Sequence, residues 1–150
     1  MSHFTLAEFS ASDTATRLQI DNALPDHLLP AAEQTLLMLE RIRQRLSAVA
    51  GRDIPIRISS GYRCLALNWA LKSASTSDHV AAAAADWTAP SFGTPFAICQ
   101  ALLPHLDKLG IGQLIHEFGA WVHTSTRRAN TINRAITVTH AGTTTGIQEA

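Results

Sequence analysis

The chain has 150 residues, 46% of them hydrophobic, and twelve basic side chains balance twelve acidic ones so that the formal net charge is zero. That length suits one compact domain with a real core. No basic run or stripe argues for nucleic acid or an anionic membrane surface, and the longest low-charge stretch, Val80 to Ala97, holds Asp86, Pro90, Gly93 and Pro95 and so is no membrane span.

The opening residues, Met1 to Glu8, offer neither a basic n-region nor an apolar h-region. The expectation is a chain made in the cytoplasm without a secretory leader. Phe4 to Phe9 is a short segment of mixed polarity. Ser10 or Ser12 can cap a short helix over Ala11 to Leu18, with Asp13 favourable in its first turn, and Gln19 to Pro25 reads as a loop. Leu36, Leu39, Ile42 (or Arg43), Leu46 and Val49 then recur at three- and four-residue steps. This predicts a core-facing helix over about 28–50, with Pro30 in its first turn and Gly51 as its stop.

Ile54 to Ser60 alternates and is β-branched, which predicts a strand with Pro55 near its start. Cys64 to Leu71 has helical spacing, and Ser73 to Asp78 is a loop. Val80 to Trp87 is Ala-rich. A straight strand there would put His79 and Asp86 on opposite faces, so a turn or bulge is required if both serve one site. Thr94-Pro95 starts a helix that runs to about Leu109, kinked or split by Pro104. Gln113–Glu117 and Trp121–Ser125 read as a hairpin around Phe118-Gly119-Ala120. Arg127 to Asn133 is a polar connection, Ala135 to His140 a last strand, and the tail after Gly142 is expected to fray. Helices in the first half and strands in the second predict a small α+β domain with an antiparallel sheet. Cys64 and Cys99 are too few for a disulfide framework and read as two buried thiols.

Three residues stand out chemically. His79 and Asp86, with His123 further on, supply two imidazole nitrogens and a carboxylate oxygen, a ligand set for one zinc ion. Three protein ligands leave the fourth tetrahedral position to water, the arrangement of catalytic zinc. The hairpin register adds a fourth residue. With residues 118–120 as the loop, Glu117 faces Trp121 and Ile115 faces His123, so Glu117 and His123 share one side of the sheet. A carboxylate there can serve as general base toward a zinc-bound water. Alternation turns His116, its nearest rival, to the other face.

Ser60-Gly61-Tyr62-Arg63, Asn68, Ser77-x-His79, Ala84-x-Asp86 and Trp121-Val122-His123-x-Ser125, in that order, resemble the zinc D-alanyl-D-alanine carboxypeptidase family, whose members cleave peptidoglycan and include phage endolysins. The opening Phe4-Thr-Leu-Ala-Glu-Phe9, followed by Ser12-Asp-Thr-Ala15, resembles the phage and prophage branch, and the likeness runs over residues 3 to 126. It implies His79, Asp86 and His123 as Zn2+ ligands, Arg63 as the fork that holds a substrate carbonyl or carboxylate, and Ser77 as a contact beside the site. It implies a Hedgehog/DD-peptidase-like zinc cleft floored by an antiparallel sheet, in a single domain whose core spans about 3–141.

The sequence departs from the family pattern at Ala82, at Ala120 and in the run Val80 to Ala85, which lacks the bulkier or basic residues common in the family. Ala82 stands where the family usually has Gly, and it is strained if φ is positive there. Ala120 stands where many members place an acidic base, and Glu117 is the substitute. Elsewhere the ordinary readings hold: His3, His27, His105 and His140 are surface or satisfied residues, Tyr62 packs, and Trp69, Trp87 and Trp121 are core or cleft wall and not carbohydrate platforms. The expectation is a monomeric zinc peptidase acting on peptidoglycan stem peptides or cross-links, at the wall after release or carried in a virion. The alternative is a non-catalytic wall-binding or phage structural module that keeps the fold.

Overall fold

The computed structural model describes residues 2–149. Two short helices open the chain, α1 (Leu6–Ser10) and α2 (Asp13–Arg17), capped by the hydroxyls of Thr5 and Ser12. The first was not anticipated. Its signal is Thr5 followed three residues later by Glu8, the spacing of a capping box, and the Glu8 N–H donates to Thr5 Oγ1 at 3.1 Å. Helix α3 (Leu29–Ala50) starts with Pro30 in its first turn and ends at Gly51. Strand β1 covers only Arg57–Ser60. Ile54 and Ile56 are buried as expected, but Pro55 between them has no N–H for a ladder, so sheet pairing begins later.

Helix α4 (Leu65–Ala70), strand β2 (Ala84–Thr88) and helix α5 (Pro95–Leu102) follow. Pro104 falls in a 3-10 turn over Leu103–His105 that separates α5 from α6 (Leu106–Leu109). Strands β3 (Ile111–Glu117), β4 (Trp121–Thr126), β5 (Arg134–Thr139) and β6 (Gly142–Thr145) complete the fold. The tail expected to fray therefore carries a sixth strand, paired with β5 from Ile136↔Thr145 to Thr139↔Gly142.

The strands form one sheet in the order β1-β2-β4-β3-β5-β6. The expected antiparallel sheet is mixed, because β5 lies parallel to β3. The connection after β4 is long enough to step across the start of β3 and return on its far side. Gly112 marks the crossing: a Cβ there would run into the Thr131 carbonyl oxygen and the Thr126 oxygen.

One face of the sheet packs on the helices. Met38, Leu39, Ile42 and Leu46 of α3 meet Trp87, Leu114 and Val122 of the sheet and Ile98 and Leu102 of α5. Trp87 is fully buried, and its Nε1–H donates to Thr124 Oγ1 at 3.0 Å. Truncating a leucine of this layer costs about 2–5 kcal/mol. Alternation along β2, β3 and β4 turns Asp86, Glu117 and His123 to the opposite face, where they line a cleft together with Arg63, Ser77 and His79. Cys64 and Cys99 are free thiols, the second buried with its pKa pushed up to about 12 by burial. No helix among the described residues is long and apolar enough to cross a membrane.

Candidate metal centre

Strand pairing builds one half of the site. Asp86 on β2 is the direct partner of His123 on β4, and β3 pairs Ile115 with His123 and Glu117 with Trp121, the register expected from the sequence. Phe118 and Gly119 at the turn both take positive φ, which suits the twist of the strands. Asp86 Oδ1 lies 2.8 Å from His123 Nδ1 and 3.3 Å from His79 Nε2. All three side chains are buried, and one ligand atom from each lies within 4.8 Å of the others.

The other half is carried by loops. His79 Nδ1–H donates to the Gly61 carbonyl at 2.7 Å. The carbonyl can only accept, so Nδ1 carries a proton and Nε2 is the ring nitrogen that faces Asp86, the one a metal would take in place of a proton. Gly61 is required because a Cβ there would fall inside the Phe9 carbonyl oxygen and against the Phe9 ring. The Phe9 oxygen also accepts the Tyr62 N–H at 2.9 Å, so the opening helix sets the depth of the loop that holds His79. Buried Asn22 reinforces the arrangement. Its Nδ2 donates to Ser10 O at 2.8 Å and Tyr62 O at 3.0 Å, and its Oδ1 accepts the Cys64 N–H at 2.7 Å.

Between His79 and β2 the chain makes the required turn, with Ala82 at φ +55°. Its N–H donates to His79 O at 3.2 Å, and its carbonyl accepts from Thr35 of α3 at 2.8 Å. The Ala82 departure is thus a real backbone strain. It is held by a tether to the longest helix.

The other sequence-predicted residues fall around the same cleft, a cavity of about 500 Å3 lined by Arg63, Ser77, His79, Asp86, Glu117 and His123 among others. Arg63 Nη2 donates to Asp86 Oδ2 at 3.0 Å and its Nε to Ser60 Oγ at 2.9 Å. The guanidinium therefore steadies the carboxylate first and has only its remaining donors for anything in the cleft. Ser77 Oγ accepts the His79 N–H at 3.3 Å. His116 is turned away, as expected, and meets the Gln148 carbonyl through Nδ1 at 2.9 Å. Trp121 lines the cleft, whereas Trp69 is neither core nor cleft wall: it is 83% exposed. The sequence reading gave no role to Asn22, to the Gly61 carbonyl or to Ser125, whose Oγ lies 3.0 Å from His123 Nε2. Ser125 could have been found from the same alternation that located His123.

The electrostatics suit a metal. Burial alone would raise the Asp86 pKa, but the His79 charge and the hydrogen bonds of both imidazoles outweigh it and hold the carboxylate ionised far below its usual range. His123 moves the other way: burial opposes its charge, yet the bond and charge of Asp86 prevail and raise its pKa. Glu117 is raised, by burial first and by the Asp86 charge second. Two imidazoles that can present lone pairs, a carboxylate already ionised, and outer partners on each (Gly61 O, Ser125 Oγ and Arg63) form a donor set that fits a borderline cation such as zinc.

A family model described as Peptidase M15 matches residues 2–125. The chain belongs to the peptidase M15 family. No curated protein matches it. M15 peptidases are metal-dependent, and His79, Asp86 and His123 form the group in this M15 chain that could hold the metal. The matched span ends within β4, so β5 and β6 lie beyond it.

Proposed function

We propose that the chain is a zinc peptidase that hydrolyses an amide bond of peptidoglycan stem peptides or their cross-links, of the D-alanyl-D-alanine carboxypeptidase or endopeptidase type. The observation that carries the reading is the convergence of the His79–Asp86–His123 donors with a half-buried carboxylate, Glu117, in one open cleft of an M15 chain. Zinc held by the three residues supplies Lewis-acid polarisation of the scissile carbonyl and a water of lowered pKa.

The chain's own groups do the rest. Glu117, a half-buried carboxylate lining the cleft, is the group that would take a proton from water and return it to the leaving amine. Arg63 holds Asp86 in place with one edge and offers its remaining N–H donors to a substrate carbonyl or carboxylate. Ser77 ties down the His79 backbone at the cleft wall. A lysis role, during or after release from a host cell, suits the phage-like opening segment.

Metal analysis and mass spectrometry of purified peptidoglycan after incubation test the reading together. About one zinc per chain with new stem-peptide fragments is the expected result, and His79→Ala should lose both. Full wall hydrolysis by zinc-free His79→Ala would refute it. The non-catalytic alternative rests on Ala82 and Ala120: the Thr35 tether holds Ala82 in its turn, and with Ala120 offering no carboxylate the alternative is met only if Glu117, which lines the cleft, serves as the base.

A further inference from the structure

Helix α4 presents an unusual surface. Trp69 is 83% exposed and Leu65, one turn earlier on the same face, is 63% exposed. Large apolar side chains set out in this way on a short helix mark contact with something. They flank a hollow of about 310 Å3, lined by Leu65, Ala66, Asn68, Trp69, Ser73 and Ser75, at the lower end of ligand-sized clefts. Asn68 makes the floor rigid, with Nδ2 donating to Ala74 O at 2.8 Å and Ser73 O at 3.4 Å. Its Oδ1 is buried without a hydrogen-bond partner.

The chemistry of the hollow narrows its occupant. No charged side chain lines it, so it has nothing to pair with a phosphate backbone, an anionic lipid or an acidic peptide. Its exposed lining is almost wholly apolar, a flat indole beside aliphatic walls, which suits the apolar face of an uncharged sugar ring stacked on the indole. A second copy of the chain is a poor fit, because stable interfaces use roughly 20–30 residues a side and this patch has a few. The hollow adjoins the proposed catalytic cleft: Ser73 lines both, and Leu71 and Lys72 of the cleft follow directly on α4.

We propose that Trp69, Leu65 and the adjoining hollow form a glycan subsite that seats the N-acetylated amino-sugar strand from which the stem peptide in the cleft hangs. The proposal rests on the peptidoglycan reading of the cleft. It makes Trp69 a substrate-recognition residue outside the metal site. Polymeric substrate is gripped at two places, whereas a free stem peptide is gripped at one.

The test uses the full chain and two probes. Peptide-free glycan strands, stripped of stem peptides, report on the subsite without any chemistry. Wild type should bind them with a change in tryptophan emission, and Trp69→Ala should weaken that binding by about tenfold or more, the effect expected of a truncated aromatic anchor. Hydrolysis of whole peptidoglycan should fall by a similar factor through KM. Cleavage of a sugar-free stem peptide should stay within about twofold, and Trp69→Phe should restore most of the loss. Equal loss on both substrates, or no loss of glycan binding, overturns the subsite. So does a concentration-dependent dimer in sedimentation that Trp69→Ala abolishes. Glycan binding without any hydrolysis sinks the peptidase reading and leaves the subsite standing.

Discussion

The two halves of the candidate metal centre are held by different physics. Asp86 and His123 stand on paired strands, and their juxtaposition follows from antiparallel register and alternation. His79 and Arg63 stand on loops. Their positions follow from a set of buried polar ties that begin far away in sequence, at Phe9, Asn22 and Thr35. A strand site is over-determined by every rung of its ladder. A loop site depends on a few contacts, each of which can be removed singly. The same kind of substitution should therefore cost more on the loop side.

Gly61→Ala is the sharpest test of that contrast. The new methyl meets backbone, the Phe9 carbonyl, and the Phe9 ring. Neither is the free end of a flexible chain, so the loop must shift, at about 1–3 kcal/mol or more. The shift carries away the acceptor of His79 Nδ1–H, and loss of such an outer partner weakens metal binding about 10–100-fold. Denaturant midpoints and a chelator competition should both move. A stable variant with unchanged zinc affinity would show that the opening helix does not support the site.

Asn22→Ala comes next. It strips three backbone groups of their partner, and each buried group left unsatisfied costs about 1–3 kcal/mol, less where the loop relaxes to admit water. A loss of about 2–4 kcal/mol is expected in urea unfolding, with Asn22→Asp recovering only the Cys64 contact. An effect under about 1 kcal/mol would place the loop's stability elsewhere.

These two residues also show where sequence reading stops. The hairpin register around residues 118–120, the facing of Glu117 and His123, the turn needed before Asp86 and the long amphipathic helix were all readable, because each follows from a local period. Asn22 was invisible because its partners lie 12 to 42 residues away and nothing in its neighbours marks it. The parallel placement of β5 was missed for a similar reason: Arg127 to Asn133 reads as a loop, and only the packing of that loop over Gly112 shows where it goes. Trp69 defeated the composition rule that aromatic residues are buried, and the exception is the more informative outcome.

On the strand half the matching change is Ser125→Ala. It removes the partner of His123 Nε2 but leaves the ring wedged between Asp86 and the sheet. Zinc affinity should fall about tenfold, the low end of an outer-partner effect, with stability within about 1 kcal/mol of wild type. A loss of folding as large as that of Gly61→Ala would erase the distinction between the halves.

A smaller effect should appear with pH. The folded protein raises the Glu117 pKa above its ordinary value of 4.5, so the native state binds the proton more tightly than the unfolded chain does. The resulting stabilisation is complete below about pH 4.5 and fades as pH rises through the folded value. In chelator-treated protein, Glu117→Gln should flatten that limb of the stability–pH curve. An identical curve for both proteins would mean that the carboxylate is solvated and poorly placed as a base.

The smallest change is expected at the most conspicuous departure, Ala82→Gly. Holding alanine at φ +55° costs about 1–2 kcal/mol, and glycine relieves it. Two terms oppose the gain. The methyl is fully buried, and its removal forfeits about 0.8 kcal/mol. Glycine also gives the unfolded chain more freedom, worth about 0.4–1 kcal/mol. The sum lies within about 1 kcal/mol of zero, and zinc content should stay near one per chain because the turn before β2 is as open to glycine as to alanine. A gain of more than about 2 kcal/mol would mean that the loop half stores strain that its tethers do not balance, and a matching loss would mean that the Ala82 methyl is itself one of those tethers.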